Sequence, residues 1–320
     1  MTANTQQPDD LRQSRLADYR EFHRLQVVTG DIDPVYPVLE QMGKDLNLTR
    51  DELAWLVLCH VAWYHLGSAL AVFSRIRRPS QIPTDTREME SIGLTSWPTG
   101  TERRGHRDSR KLVVHLQALR NLPDEGLAGW PGLYGWGWNA MRSVIETVPG
   151  NGRWASYKTA EMWRRVVGYG SPAPDAGHAD SSGPRKTLGL LYPGMPALKD
   201  NRPWAIAQLD AATDHLAGVL REPDVSQVET SLCDFGSLLK GNYYVGHDID
   251  QMLGQLNQIK YAAPLMYDAA IRARRQVFAA EALGEGYDPG WTGVRKGLRR
   301  YYIKDGKTLD PAGIGSAVRP

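Results

Sequence analysis

Several groups of side chains in this sequence have types and spacings that could do chemistry. The first is cationic. In TERRGHRDSRK, residues 101–111, Arg103, Arg104, His106, Arg107, Arg110 and Lys111 form the densest positive cluster of the chain. It falls where an irregular stretch meets a helix start, with Asp108 or Ser109 as N-cap. Backbone N–H groups and guanidinium groups would then face the same anion. Arg185 and Lys186, in GPRKTL, open a short helix and make a second candidate phosphate site. Clustered Arg and Lys of this kind suit the binding of a phosphate, whose charge they offset. The second group is acidic. Asp175 and Asp180 flank His178 in SPAPDAGHADSSGP, residues 171–184, and a carboxylate there could act as general base. Asp248 is a further choice for that role. It sits with Tyr243, Tyr244 and His247 in SLCDFGSLLKGNYYVGHDIDQM, residues 231–252, a polar mix around a sharp turn that reads as a binding surface.

Histidines elsewhere carry less. His60 and His65 are five apart, about 140° out of phase on a helix, so they are no metal pair. A hydrogen-bonded core histidine is the default for each. His65 is a substrate-pocket candidate because Gly67 and Ser68 leave a gap beside it. The His/Asp spacing at 247–250 matches no strong metal motif, and no metal site is expected.

The elements that must position these groups are helices. ETVPGNGRWASYKTAEMWRRVV, residues 146–167, predicts helix, tight turn, helix. Pro149 and Gly150 end the first, Gly152 is expected where a side chain would clash, and Arg153 starts the second. Such a hairpin leaves N–H groups free to hold a nucleic-acid phosphate, which makes Pro149, Gly150, Gly152, Arg153, Trp154 and Lys158 candidate DNA contacts. Upstream, Trp130, Trp136 and Trp138 lie on a Gly-rich loop, placed either to stack on an unpaired base or to fill a gap in the protein. Thr49 and Glu52 form a capping box before one long apolar helix, DELAWLVLCHVAWYHLGSALAVFSRI, expected at the centre of the core. Further helices are expected from Leu11 to Val28, Pro37 to Leu46, Ser109 to Leu119, Pro203 to Leu220, Val225 to Leu239, His247 to Gln258 and Pro264 to Leu283. Only Tyr301 to Lys304 has strand character. The fold class is all-α, with residues 1–10 as a tail, residues 11–305 as one helical domain of two lobes flanking a cleft, and residues 306–320 as an extension.

Composition bounds the rest. A net charge of +2 gives no global basic field, so nucleic-acid binding must come from local patches. Two cysteines, Cys59 and Cys233, exclude a disulfide framework and fit a reducing compartment. The first residues lack the apolar stretch of a signal peptide, and no apolar run reaches spanning length. A cytoplasmic protein without membrane contact is expected. Ten Trp and fourteen Tyr against four Phe favour aromatic groups with a polar handle.

The segment PGNGRWASYKTA resembles the helix-hairpin-helix of the base-excision DNA glycosylase superfamily. Four blocks taken together, WYHLGSA (63–69), TERRGHRDSRKL (101–112), PGNGRWASYKTAEM (149–162) and LCDFGSLLKGNYYVGHDID (232–250), resemble the phage α-glutamyl/putrescinyl thymine pyrophosphorylases, also called amino acid:DNA transferases. The resemblance spans most of the chain. It implies a glycosylase-like helical fold and a transferase that replaces pyrophosphate, or phosphate, on an activated 5-hydroxymethyl pyrimidine in double-stranded DNA with an amine. The donor would be an amino acid or polyamine, and the place of action the cytoplasm, that of the host for a phage protein. No cofactor beyond the donor is implied; a monovalent or divalent cation is left open. Glycosylases carry a catalytic Asp shortly after the hairpin, which points to Asp180 or Asp175. The position of their lyase nucleophile is held here by Trp154, so no Lys-type lyase chemistry is implied. Two other readings stay open: a true DNA glycosylase, and a non-catalytic DNA-binding protein.

Overall fold

The structure is a computed structural model that describes residues 8–133, 135–240 and 242–283. Every regular element among them is helical, and none is a strand. In chain order the α-helices are α1 (Pro8–Thr29), α2 (Val35–Asp45), α3 (Arg50–Trp63), α4 (Leu66–Phe73), α5 (Thr86–Ser91), α6 (Ser109–Arg120), α7 (Trp138–Glu146), α8 (Arg153–Met162), α9 (Gly183–Leu191), α10 (Pro203–Leu220), α11 (Val225–Leu239), α12 (His247–Asn257), α13 (Pro264–Val277) and α14 (Ala280–Leu283). The expected all-α class is what the structure has. The expected strand at 301–304, the extension at 306–320 and most of the expected N-terminal tail lie outside the described residues; α1 begins at Pro8. None of the described helices is long and apolar enough to cross a membrane.

The chain divides into two compact units. The first takes its described residues from the chain before Pro34, from Ala173–Ile249 and from Ala279 onward. Its core joins Tyr19, Phe22 and Leu25 of α1 to Leu188 and Leu191 of α9, Leu209 and Leu216 of α10, and Val228, Leu232 and Phe235 of α11. The spacing of three and four along each helix puts these side chains on one stripe. Aromatic edges lock it: the Tyr19 and Phe235 rings stand 5.2 Å apart at 78°.

The second unit holds Pro34–Pro172 and Asp250–Phe278. Its central helix is α3, buried from Ala54 to Trp63. The capping box is present as expected, with Thr49 Oγ1 accepting from the Glu52 amide at 3.2 Å and the Glu52 carboxylate accepting from the Thr49 amide at 3.0 Å. The single long helix expected from residue 51 onward is instead two. Tyr64 turns left-handed at φ 45°, and His65 then caps α4 by accepting from the Ser68 amide at 3.1 Å. The break lets another strand of backbone come close: a Cβ at Gly67 would stand 2.1 Å from the Gln255 carbonyl oxygen, a distance no side chain tolerates. The expected helix from Pro264 to Leu283 likewise divides at Phe278, whose backbone is extended.

Candidate DNA-contacting and transfer residues

The expected hairpin is formed by α7 and α8. Arg142 ties its two arms, donating to Ser156 Oγ at 3.3 Å and to the Arg153 carbonyl at 3.2 Å. The turn is set at Gly150, which has φ 92° and packs on two histidines. A Cβ there would lie 2.9 Å from His115 Nδ1 and 3.2 Å from His106 Nε2. Gly152 was expected to avoid a clash, and this is corrected: its φ is −83°, its ψ −176°, and nothing lies within 4 Å of a Cβ built on it. Extended backbone of that kind accepts any residue.

A buried polar frame holds the turn. Arg103, only 5% exposed, donates to the Gly150 carbonyl at 2.9 Å and approaches Asn151 Oδ1 at 3.4 Å. His115 Nδ1 meets the Pro149 carbonyl at 2.7 Å, and His106 Nδ1 meets the Ala62 carbonyl at 2.7 Å. Those carbonyl partners require the N–H on Nδ1 of each ring. Burial, with the Arg103 charge beside them, pushes the His106 pKa down to about 4 and His115 well below its ordinary value. Both are neutral near pH 7. Arg103 is itself lowered to about 10 by burial and keeps its charge.

The solvent side of the turn is cationic. A depression of about 630 Å³ is lined by Gly105, His106, Asp108, Arg110, Lys111, Val114 and Gly150. Arg107, Arg110 and Lys111 are exposed. The side chain of Arg104 lies outside the described residues. Asp108 caps α6 through the Arg110 amide at 3.1 Å, so that helix start already has its anion. The start of α8 is different. Gly152 supplies no side-chain cap, and Arg153 beside it is exposed. Trp154 is half-buried, edge-on to Tyr64 with rings 4.8 Å apart. Lys158 faces inward, its Nζ 2.9 Å from Glu161 Oε2, and Tyr36 donates to the same oxygen at 3.1 Å. Of the three loop tryptophans, Trp130 and Trp138 are core residues. Trp136 is 46% exposed and stacks on Tyr169 at 5.0 Å.

The remaining candidates lie in the other unit, apart from His65, which is the buried cap of α4 and is lowered to about 4 by burial. Asp175 closes a tight turn, accepting from the Gly177 amide at 2.8 Å, and both Asp175 and Asp180 are half-buried. His178 between them is buried, with Nε2 2.7 Å from Thr213 Oγ1 and its pKa lowered to about 4 by burial and then by Arg185. Asp210 is pushed up to about 6 by burial and by its neighbours Asp175 and Asp214. Arg185 is buried and braces the 197–201 loop, donating to Asn201 Oδ1 at 2.7 Å and to the Asp200 carbonyl. Lys186, next in sequence, is exposed.

Around the sharp turn before α12 the structure assembles more than the sequence indicated. Tyr243 donates to Asp31 Oδ2 at 2.7 Å, and Asp31 also accepts from the amides of Gly246 at 2.6 Å and Ile249 at 3.2 Å. Asp31 thus satisfies the first amides of α12 from a distant part of the chain. Asp234 accepts from Gln26 Nε2 at 2.8 Å. His247 Nδ1 is 2.9 Å from Asp248 Oδ1, and its ring lies 4.9 Å from Tyr243 and 5.3 Å from Tyr244. Burial, then the Asp248 charge, raises Asp31 to about 7 and Asp234 well above the carboxylate range. Sequence reading found Asp248, His247 and the tyrosines, but not Asp31, Asp234 or Gln26. Nothing local marks those three, because they meet the turn only through folding. No group of three or more His, Cys, Asp or Glu among the described residues is placed to hold a metal ion.

A family model described as amino acid:DNA transferase matches residues 27–244, well over half of the chain. The match takes in the cationic 101–111 segment, the hairpin and the turn at Tyr243 and Tyr244, so the protein belongs to the amino acid:DNA transferase family, whose members are transferases that join an amino acid to DNA.

Proposed function

We propose that this transferase replaces the pyrophosphate, or phosphate, of an activated 5-hydroxymethyl pyrimidine in double-stranded DNA with an amine, an amino acid or a polyamine. The observation that carries the reading is the hairpin of a DNA-acting family with an uncapped start to α8, bordered by exposed cations. N–H groups at that start, which has no side-chain cap from Gly152, would take a backbone phosphate, with Arg153, Arg110 and Lys111 adding charge. Such contacts position the duplex without reading its sequence. The target nucleotide would leave the stack so that its methylene can react away from bulk water.

The chemistry needs two kinds of help. Departing pyrophosphate gathers negative charge, which Arg104, Arg107 and Lys186 would offset; Arg185 would hold the loop that follows α9 in place. The incoming amine reacts only when neutral, so a base must take its proton. Asp180, Asp175 and Asp248 are the carboxylates proposed for that role or for supporting it, with Tyr243, Tyr244 and His247 as pocket residues. The test uses duplex DNA carrying the activated base, the protein and a panel of amines, followed by mass analysis of the digested nucleosides. A base enlarged by the donor is the expected product. A free base with an abasic site would favour glycosylase chemistry, and bound but unaltered DNA would favour a binding protein.

A further inference from the structure

The start of α10, with the loop that leads into it, carries an exposed aromatic ring that the transfer reading does not use. We propose that Trp204 is a stacking platform for an unpaired base of the DNA, with Lys199 on an adjoining phosphate. The proposal needs the DNA that the family acts on, but neither the activated base nor the amine, so its test stands whether or not transfer is found.

Two tryptophans are exposed among the described residues. Trp136 already has its ring partners: Tyr169 stacks on it, and a Cβ at Gly132 would stand 2.7 Å from three of its ring atoms. Trp204 is different. It is 53% exposed, and among the described residues it has no aromatic neighbour and no acceptor for its indole N–H. Its ring contact is the Arg202 guanidinium, 4.9 Å from the ring centroid. That contact leaves more than half of the residue to solvent, so ring surface remains for a second planar group.

The platform is held in place from both sides. Asp200 grips Arg202 through two hydrogen bonds, Nε to Oδ1 at 2.9 Å and Nη2 to Oδ2 at 2.7 Å. Arg202 in turn keeps the Asp200 carboxylate below its ordinary range, so the pair persists near neutral pH. From within, Arg185 donates to Asn201 Oδ1 at 2.7 Å and to the carbonyls of Ala197 and Asp200. Gln208 Nε2 donates to the Gly194 carbonyl at 3.1 Å. A buried charge is costly, and here it braces a surface loop, which fixes what the loop displays. A ring already fixed loses little freedom when it takes a ligand.

The surroundings favour a base over a protein. A stable protein interface covers roughly 800 Å² on each side around an apolar centre. The large apolar side chains exposed between Tyr192 and Trp204 are Leu198 and Trp204 alone, too few for such a centre. A base needs one ring, and stacking is tolerant of its sequence. Lys199 is exposed and makes no ion pair among the described residues, which leaves its charge for a phosphate. Asp200 is the one acidic residue from 198 to 204, and Arg202 offsets it.

Fluorescence anisotropy with a labelled duplex carrying one unpaired thymine, beside the same duplex fully paired, tests the assignment. Trp204→Ala should weaken binding of the bulged duplex about tenfold, within the range of one stacked base, and leave the paired duplex within about twofold. Trp204→Phe should recover most of the loss. Lys199→Ala should lower the salt dependence by close to one phosphate contact. Native thermal melting would show that the variants fold. A second measurement needs no variant: 5-iodouracil at the unpaired position, irradiated in complex with the native protein, should cross-link to the peptide that holds Trp204, read by mass spectrometry. Native binding of the bulged duplex by Trp204→Ala, equal losses on both duplexes, or cross-links that fall only elsewhere would overturn the proposal. A native dimer that Trp204→Ala turns into a monomer in sedimentation would assign the ring to a second copy of the chain, and overturn it too.

Discussion

Replacing Gly150 by Ala, beside a matched Gly152→Ala, tests what sets the hairpin. At Gly150 an alanine meets two penalties. Its φ of 92° is a left-handed conformation, which adds roughly 1–2 kcal/mol for a residue with a side chain. Its Cβ would also stand 2.9 Å from His115 Nδ1 and 3.2 Å from His106 Nε2. Neither ring can withdraw freely, since each holds a backbone carbonyl at 2.7 Å. Crowding of a packed site adds roughly another 1–3 kcal/mol, so a loss of about 3 kcal/mol is expected. For a unit of this size that lowers the unfolding midpoint by roughly 6–12 °C. Gly152→Ala places its Cβ in open space on extended backbone, and should stay within about 0.5 kcal/mol of the native protein. Thermal melts by circular dichroism read the stability. Fluorescence anisotropy with unmodified duplexes of unrelated sequence reads binding, which Gly150→Ala should weaken about equally for all. A Gly150→Ala protein that melts with the native one, or a Gly152→Ala protein that loses as much, would refute the view that packing on His106 and His115 fixes the turn.

Other expectations follow from the same contacts. Arg103→Leu leaves the Gly150 carbonyl and Asn151 without their buried donor, and should destabilise by roughly 2–4 kcal/mol in chemical denaturation, whereas Arg110→Ala should leave the melting midpoint unchanged and weaken DNA binding with a shallower salt dependence. Thr49→Ala removes the capping box of α3 and should lose about 1 kcal/mol in the same assay. Acid should destabilise the fold: His23, His65, His106 and His178 are lowered to about 4, His60 to about 3 and His115 well below its ordinary value, so the unfolded chain binds their protons first, and stability present above pH 6.5 is lost as pH falls from 6.5 toward 4. Asp31 at about 7, Asp210 at about 6 and raised Asp234 act with the opposite sign between pH 4 and 7, but the histidines outnumber them; urea midpoints that rise as the pH is lowered from 6.5 to 4.5 would contradict this.

The sequence by itself determined the features that depend on neighbours along the chain. Helix type followed from apolar spacing, the capping box of α3 from Thr49 and Glu52, and the hairpin from Pro149, Gly150 and a renewed helical period at Arg153. Those signals involve residues within one turn of each other, so the interactions that produce them are written in order. The family resemblance was legible for a related reason, since its four blocks are short runs with fixed internal spacing. Tertiary structure decided which polar side chains face solvent and which are spent inside. Arg103 and Arg107 read alike within one cationic run, yet Arg103 is consumed by the Gly150 carbonyl and Arg107 is exposed. Arg185 and Lys186 divide in the same way, because successive helical positions point about 100° apart and only one meets the 197–201 loop. The break between α3 and α4 was hidden because its cause, the Gln255 carbonyl against Gly67, comes from far along the chain. Asp31, Asp234 and Gln26 gather at the turn before α12 across more than two hundred residues, and no local pattern encodes an encounter brought about by the packing of α1 on α9 and α11.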